Sequence, residues 1–399
     1  MNKVQRISYG TIYFPLSILF LSVFFWDKPI SFFLSVCVLT FADPIASIIG
    51  SKSTNHFYPY KDKKSVEGSL AMFSTSFIII FLGTDMMARI FGANFFLPIH
   101  ILIGLALFTS LCSSLSEMIS YKGSDNLSIP IITFFSYEIF LINYTHGNLY
   151  HLIVWSTLSI AIFSGAYKYQ SLSLSGAVGG FLVGILIFGS GGWNFIFPLV
   201  FFFISSSLLS ILKKKTRPHR DIVQILANGG VPTFFALSYF FFPSQSLILG
   251  FIGSLSAATA DTWATEIGFL SKKNPYLLFS NTSVNKGTSG SISLLGTFGS
   301  TVGAFFVAII SAYLFELYHL ILIITISGAA GSFIDSFAGR YFQGKFQCNN
   351  CKDFTEDKYH CNAPTLLISG VSWVDNNFVN FINTLTGASI MLLINSLYG

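Results

Sequence analysis

The stretch SLILGFIGSLSAATADTWATEIG, residues 246–268, combines a long apolar run with an aspartate, Asp261, near its end. A helix needs about 20 mostly apolar residues to cross roughly 30 Å of hydrocarbon, and this stretch is long enough to do so. A carboxylate inside a membrane span is costly and therefore indicates function. The stretch thus predicts a membrane-spanning helix that contributes to a functional site.

Runs of the same kind fill the rest of the chain. Of its 399 residues, 52% are hydrophobic and only 10% are charged, against roughly a quarter charged in ordinary soluble domains, and the mean hydropathy is +0.67. We therefore expect an all-α polytopic membrane protein with about 13 transmembrane helices. The first run lacks the small-residue cleavage pattern of a secretory signal, so we expect a retained helix there. The candidate spans have the approximate limits 7–26, 30–50, 66–84, 95–115, 127–144, 150–167, 173–189, 194–212, 222–242, 246–268, 290–311, 317–338 and 374–396.

The basic residues predict how these spans are oriented. Lys and Arg are enriched in cytoplasmic loops, and with the N-terminus inside, all but Lys28 and Arg89 of the 22 basic residues fall on the inner side. We therefore expect an integral protein of the cytoplasmic (inner) membrane, with its C-terminus outside and its ionisable residues facing the cytoplasm. The net charge of +5 follows from this topology. No soluble segment contains a basic tract with interleaved aromatic residues, so the sequence does not indicate nucleic-acid binding.

The two halves of the chain share a series of short motifs, which indicates an internal repeat. Glu117 and Asp335 take matching places in the series, and one insertion near 340–372 explains why the second copy is longer. This predicts two parallel five-helix repeats joined by three helices, with one membrane domain at 1–147 and a second at 148–399. The matching segments are DPIASIIG at 43–50 with DTWATEIG at 261–268, KSVEGS at 64–69 with KGTSGS at 286–291, and SDNLSIP at 124–130 with VDNNFVN at 374–380.

Each copy carries carboxylates near one membrane face and a lysine, Lys64 or Lys286, at the start of the following helix. A lysine beside the free amides of a helix start suits phosphate. Clustered carboxylates repel one another unless a cation such as Mg²⁺ bridges them. This combination is typical of phosphoryl- or nucleotidyl-transfer sites, although such carboxylates can also simply cap helices or pair with a lysine. The predicted Mg²⁺ ligands are Asp43, Asp125, Asp261 and Asp335.

These motifs resemble the signature of membrane enzymes that use CTP, namely phosphatidate cytidylyltransferase, dolichol kinase and phytol kinase. Residues 1–145 most resemble phytol kinase, and residues from about 150 to 399 resemble the family containing plant phytyl-phosphate kinase. The first resemblance lies in YGTIYFP at 9–15, FADPIASIIG at 41–50, KSVEGS at 64–69 and SEMISYKGSDNLSIP at 116–130. The second lies in RDIVQILANGG at 220–230, DTWATEIG at 261–268, KGTSGS at 286–291, GSFIDSFAGRYFQ at 331–343 and WVDNNFVN at 373–380.

The resemblance implies two consecutive reactions. The first half would phosphorylate an isoprenoid alcohol such as phytol at the expense of CTP, and the second would phosphorylate the resulting monophosphate, both with Mg²⁺. The partners so implied are a lipid substrate, a nucleotide and the bilayer. Carried over by position, the catalytic residues are Asp43, Lys64, Glu67, Asp261, Lys286 and Asp335. The substrate- and nucleotide-binding residues are Gly50, Ser65, Gly68, Glu117, Asp125, Asn126, Gln224, Asn228, Glu266, Gly268, Gly290, Asp375 and Asn376.

Other functions are compatible with the same residues. A cytidylyltransferase would form a CDP-activated lipid, and a secondary transporter would also use duplicated helices with polar residues. The first half could also serve as a scaffold for the second.

The inserted segment 340–372 contains three of the five cysteines. Cys348 and Cys351 form a C-x-x-C pair, and His360 and Cys361 follow. Three thiols and an imidazole can bind a structural Zn²⁺, although the adjacent His and Cys are awkward joint ligands. The alternative is an ordinary loop with free thiols.

Overall fold

The computed structural model describes residues 8–92, 97–211 and 219–398 and is mostly helical. Residues 7, 95, 96 and 212 of the predicted spans lie outside the described residues. The helices are α1 Gly10–Phe25, α2 Pro29–Cys37, α3 Asp43–Lys52, α4 Val66–Ile90, α5 Ile99–Met118, α6 Asp125–Thr145, α7 Leu149–Lys168, α8 Leu174–Ile211, α9 Ile222–Phe241, α10 Gln245–Phe269, α11 Leu294–Phe315, α12 Ile321–Tyr341 and α13 Asn376–Tyr398.

Within the described residues, eleven helical runs are long and apolar enough to cross a membrane, against thirteen predicted spans. One difference is α1, which has only 16 residues. The other is α8, which joins the predicted spans 173–189 and 194–212. A straight α-helix of its 38 residues would be about 57 Å long, nearly twice the hydrocarbon thickness. The backbone is broken at Gly192, where φ is 61° and ψ is −149°, so each part has a length that suits a bilayer.

In the described part of the chain, eight short strands lie between the helices, so the chain is mostly helical rather than all-α. Outside the bilayer, polar loops satisfy their backbone groups by pairing with one another. β1 His56–Phe57 pairs with β2 Lys64–Ser65, and β3 Tyr276–Leu277 pairs with β4 Ser291–Ile292. The cysteine-containing insertion folds as a four-stranded antiparallel sheet in the order β6-β5-β8-β7. Its strands are β5 Lys345–Cys348, β6 Phe354–Thr355, β7 Tyr359–His360 and β8 Ala363–Ser369.

The chain forms two compact units, the first comprising 1–189 with 219–222 and the second 190–218 with 223–399. The predicted functional division between 147 and 148, and the predicted repeat, stay predictions. In the first unit α4 packs against α3 and α5, and α6 packs against α1, α2 and α5. Its buried side chains include Leu21, Met72, Ile80, Leu105 and Phe134.

The second unit is built around α10, which contacts α11, α12 and α13. All residues from Leu249 to Ala260 are buried, as expected of a helix surrounded by others. Small residues allow this close packing: a Cβ on Gly253 would lie 2.4 Å from the carbonyl oxygen of Gly387 on α13. Asp261 follows this buried segment directly, so helix packing fixes its position.

Candidate active sites

A short π-helical turn, Val38–Ala42, precedes Asp43 in the first unit. Such turns are frequent at functional sites because they displace side chains from the regular α-helical positions. Pro44, which lacks a backbone N–H, follows in α3, inside the continuous helical run Pro29–Lys52, so it removes one helical hydrogen bond beside Asp43. The turn therefore sets where Asp43 lies relative to the helices beside it.

Lys64, the first residue of β2, forms an ion pair with Glu117 on α5. Their side chains are only 14% and 10% exposed, respectively. Lys64 Nζ also donates a hydrogen bond of 3.0 Å to Ser120 Oγ. Asp43 interacts electrostatically with Asp125, Glu117 and Lys64. The structure thus groups three predicted carboxylates around one predicted lysine.

Asp125 begins α6 and is held by its neighbour in sequence. Asp125 Oδ1 accepts hydrogen bonds from the backbone N–H of Asn126 at 3.0 Å and from Asn126 Nδ2 at 3.1 Å. Its Oδ2 lies 3.5 Å from Ser120 Oγ. Asn126 therefore orients a carboxylate, and Ser120 links that carboxylate to Lys64.

The small residues predicted for this site hold the helices together. Ser65 caps α4, and its Oγ accepts a hydrogen bond of 3.0 Å from the N–H of Gly68. A Cβ on Gly50 would lie 2.9 Å from Ser65 Oγ, and one on Gly68 would lie 3.1 Å from the carbonyl oxygen of Ala46. Gly50 and Gly68 are therefore needed where α3 and α4 approach closely.

Glu67 is exposed, and its Oε2 accepts a hydrogen bond of 2.6 Å from Ser53 Oγ. This predicted catalytic residue therefore contacts the loop after α3. Its catalytic role stays a prediction.

In the second unit, Asp261 on α10 and Asp335 on α12 have their carboxyl groups within hydrogen-bonding range of each other. Asp335 Oδ2 is buried and receives no hydrogen bond from any donor in the described part of the chain. Glu356 adds a further negative charge that acts on Asp335. Two carboxylates this close require a proton or a cation between them, so the residues fit a bound Mg²⁺.

Glu266 lies one turn beyond Asp261 on α10 and is buried. Its Oε1 accepts a hydrogen bond of 3.2 Å from Ser210 Oγ on α8. This contact fixes the carboxylate at the end of α10.

Lys286 differs from Lys64 in its surroundings. Its Nζ donates to the carbonyl oxygens of Phe269, at 3.1 Å, and Ser271 at the end of α10. The prediction that Lys286 stands at the start of the next helix is wrong, because α11 begins at Leu294. The contact shows Lys286 as a cap for the C-terminal carbonyls of α10.

Ser293 caps α11. Its Oγ accepts a hydrogen bond of 3.0 Å from the N–H of Gly296, as Ser65 does from Gly68. A Cβ on Gly268 would lie 3.3 Å from Ser293 Oγ and 3.4 Å from Gly296 Cα. The local equivalent of KSVEGS therefore lies six residues beyond KGTSGS, where Ile292 takes the place of Lys64.

Gly290 has a different role from Gly68. Its φ is 77°, and a Cβ would lie 2.5 Å from Cα of Arg340 on α12. Only glycine fits this close approach of two backbones, so Gly290 holds the loop against α12.

The remaining predicted residues lie on α9 and at the start of α13. Gln224 and Asn228 stand one turn apart on α9, and Asn228 Nδ2 donates to the Gln224 carbonyl oxygen at 3.1 Å. Asp375 is exposed, and its Oδ1 accepts a hydrogen bond of 2.9 Å from the N–H of Phe378. Asn376, also exposed, is the first residue of α13. Asp375 therefore caps α13.

The cysteine-containing sheet brings four predicted ligands together. One donor atom from each of Cys348, Cys351, His360 and Cys361 lies within 4.8 Å of all the others. The backbone N–H of Cys351, followed by His360, stabilises the thiolate of Cys348 and lowers its pKa to about 6. The thiolate is the form that binds metals.

Comparison with known proteins places the chain in a family. The family described as Integral membrane protein DUF92 matches residues 157–388, more than half of the chain. The chain belongs to the DUF92 family. An uncharacterized membrane protein of Methanocaldococcus jannaschii is 32% identical over 211 residues, which is 51% of this chain and 85% of that protein. Protein PGR of Arabidopsis thaliana is 30% identical over 285 residues, which is 62% of this chain and 97% of that protein.

A more distant relative has a named activity. The phytol kinase of Synechocystis is 30% identical over 134 residues, which is 33% of this chain and 54% of that enzyme. The chain thus spans about half the length of this kinase. No solved structure matches the chain. The comparisons indicate an isoprenoid kinase-like membrane protein.

Three further polar residues of this DUF92 chain, which were not among the predicted site residues, lie on α12 or are linked to it. Glu356 accepts hydrogen bonds from Ser289 Oγ and, at 2.9 Å, from Gln343 Nε2. Arg340 Nη1 is buried and has no acceptor in the described part of the chain. Arg340 and Gln343 lie in the quoted motif GSFIDSFAGRYFQ, which could have identified them, whereas Glu356 lies in the insertion and no motif marks it.

Proposed function

We propose that this chain is a membrane kinase that transfers the terminal phosphate of CTP to isoprenoid lipids. Its two acceptors are an alcohol such as phytol and the corresponding monophosphate. The observation that carries the proposal is the Asp261–Asp335 pair, whose buried Asp335 Oδ2 receives no hydrogen bond from the described residues. The similarity to a phytol kinase supports the choice of acceptor.

The second site is proposed to act on the monophosphate. Asp261 and Asp335 would hold Mg²⁺, which would supply positive charge to neutralise the negative charge of the nucleotide phosphates. Arg340 Nη1 is a buried donor without an acceptor among the described residues, and a guanidinium is suited to phosphate. An oxygen of the lipid monophosphate, already anionic, attacks the terminal phosphorus of CTP. The bond from that phosphorus to the bridging oxygen breaks, and CDP leaves.

The first site is proposed to act on the alcohol, whose oxygen carries a proton that must be removed. Asp43 would accept that proton, and Asp125 together with Asp43 would hold Mg²⁺ when it is bound. Lys64 would contact the nucleotide phosphates, and Glu117 and Ser120 hold its ammonium group in place. Because the three carboxylates outweigh the single ammonium charge of Lys64, this site would need Mg²⁺ as well as Lys64 to bind a phosphate.

Both reactions transfer phosphate from a water-soluble nucleotide to a lipid, so the sites should lie at a membrane face. We place them at the cytoplasmic face of the inner membrane, with the N-terminus inside and the C-terminus outside. The distribution of Lys and Arg supports this orientation.

Radiolabelled CTP tests the reaction. Purified protein in lipid nanodiscs is incubated with Mg²⁺, phytol or phytyl phosphate, and CTP labelled at either the γ or the α phosphorus. We expect lipid labelled from the γ position only. Lipid labelled from the α position would instead show a cytidylyltransferase, and no labelling from either position would contradict a CTP-dependent reaction.

Asp335→Asn tests the residue that carries the proposal. Losing a Mg²⁺ ligand weakens the electrostatic stabilisation of the transition state, and removing one stabilising group typically costs about 10²–10³-fold in rate, so we expect a loss of about that size with phytyl phosphate. The matched control is Asp85→Asn, since Asp85 is 45% exposed and pairs with Arg89 at a helix end. A loss of the same size in both variants would contradict a specific role for Asp335.

A further inference from the structure

The sheet between α12 and α13 lacks the core that would stabilise it alone. Its longest strand, β8, has no fully buried residue, and five of its seven residues are exposed. In β5 only Phe346 and Cys348 are buried. A segment this small usually needs a disulfide or a metal to hold it together.

The four ligand residues have the spacing of a tetrahedral metal site. His360 Nδ1 lies 3.4 Å from Cys351 Sγ and 3.3 Å from Cys361 Sγ. With Zn–S near 2.3 Å and Zn–N near 2.0–2.1 Å, a regular tetrahedron places such sulfur and nitrogen atoms about 3.5 Å apart. The same bond lengths separate two sulfur atoms by about 3.8 Å, and all four donor atoms lie within 4.8 Å of one another.

Backbone turns explain how these ligands converge. Lys352, directly after Cys351, has a φ of 63°, and its N–H bonds the carbonyl oxygen of Cys348 at 3.1 Å. Cys361 and the following Asn362 also have positive φ values, 50° and 57°. Non-glycine residues adopt such values rarely. Here the reversal at Cys361 turns its sulfur toward the ring of the adjacent His360, so neighbours in sequence can share one metal.

We propose that Cys348, Cys351, His360 and Cys361 bind one structural Zn²⁺, which holds the sheet and thereby positions Glu356. Four protein ligands leave no open coordination position, as in structural rather than catalytic zinc sites. Three of the ligands lie on or directly after β5 and β7, the two strands that flank β8. The metal therefore ties both sides of the sheet together.

Glu356 links this sheet to α12 and to the loop before β4. Its carboxylate accepts hydrogen bonds from Ser289 in that loop and from Gln343 just after α12. Its charge acts on Asp335. The assistance that Glu356 gives to the second site rests on the proposed kinase function, whereas the binding of zinc does not.

Metal content tests the zinc site independently of activity. The full-length protein is purified in detergent from zinc-supplemented cells and analysed by mass spectrometry of metals. We expect one zinc per chain, and background zinc in Cys351→Ser and Cys361→Ser. Cys112→Ala, which alters a buried thiol of α5, is the matched control and should retain one zinc. Absence of zinc from the wild-type protein, or its retention in both serine variants, would overturn the proposal.

Cobalt gives a second readout that needs no variant. Wild-type protein produced with Co²⁺ should show the intense visible bands of tetrahedral cobalt together with thiolate-to-cobalt charge transfer. A weak octahedral spectrum without charge transfer would contradict the ligand set.

Hydrogen exchange tests the structural role of the metal. Removing the metal should abolish the protection of the β5 and β8 amides and leave that of α10 unchanged. Glu356→Gln should keep both the zinc and the protection, while lowering phosphorylation of the monophosphate. Unchanged exchange after metal removal would overturn the structural role, and a loss of zinc in Glu356→Gln would overturn the assignment of Glu356 as a dependent group. Full zinc content with inactive wild-type enzyme would instead count against the kinase alone.

Discussion

The Lys64–Glu117 ion pair is the contact on which the geometry of the first site depends. Removing one partner of a buried pair leaves an uncompensated charge and typically costs about 3–5 kcal/mol. Since these side chains are only 14% and 10% exposed, Lys64→Met and Glu117→Gln should each destabilise the protein by about that amount. In the double variant neither charge remains, so its cost should be far below the sum of the two. We expect a coupling free energy of about 3 kcal/mol.

The assay is unfolding of nucleotide-free protein in mixed micelles, measured for the wild type, both single variants and the double variant. The exposed pair Asp85–Arg89, at 2.8 Å, provides a matched control because its side chains are 45% and 78% exposed. Exposed pairs are worth about 0.2–1 kcal/mol, and the same cycle there should give a value in that range. A Lys64–Glu117 coupling no larger than that of the control would refute the buried pair.

Two further substitutions probe the second unit, and removal of Mg²⁺ probes both sites. Gly290→Ala should destabilise the protein more than Gly147→Ala in unfolding assays. Both glycines have a positive φ, but an added Cβ clashes with Arg340 only at Gly290. Equal losses of stability in the two variants would contradict that contact. Lys286→Met should lower the stability of the protein and change the KM for CTP by no more than a few-fold, because the Lys286 ammonium group caps α10. A large rise in the KM would indicate instead that Lys286 binds phosphate. Replacing Mg²⁺ by EDTA should stop lipid phosphorylation in radiolabel assays, and activity that survives would exclude the metal from the reaction.

The hydrophobic runs located the helices because burial in lipid demands a minimum apolar length. They did not distinguish two separate spans from the single run of α8, which is broken only by a kink at Gly192, because a glycine-rich stretch is compatible with either a loop or a kink. The same patterns did not predict the strands in the polar loops, because the pairing of those strands depends on contacts between separate segments of the chain.

The first site was largely predictable, since Asp43, Lys64, Glu117 and Asp125 all lie in short motifs, and the structure groups them. In the second unit the motif match misplaced the helix start by six residues. The two matched segments share small residues, and only the hydrogen bond from Gly296 to Ser293 distinguishes the true cap. Glu356 was not predictable because the fold of the insertion, rather than a local motif, brings it to Gln343.

The central claim is that each unit carries one of two lipid-kinase sites, and paired aspartate variants test it most directly. Asp43→Asn and Asp261→Asn are each assayed with γ-labelled CTP on phytol and on phytyl phosphate, in nanodiscs at equal protein content. We predict that Asp43→Asn loses phosphorylation of phytol and keeps that of phytyl phosphate, while Asp261→Asn does the reverse. Wild-type rates on both acceptors in both variants would contradict the claim.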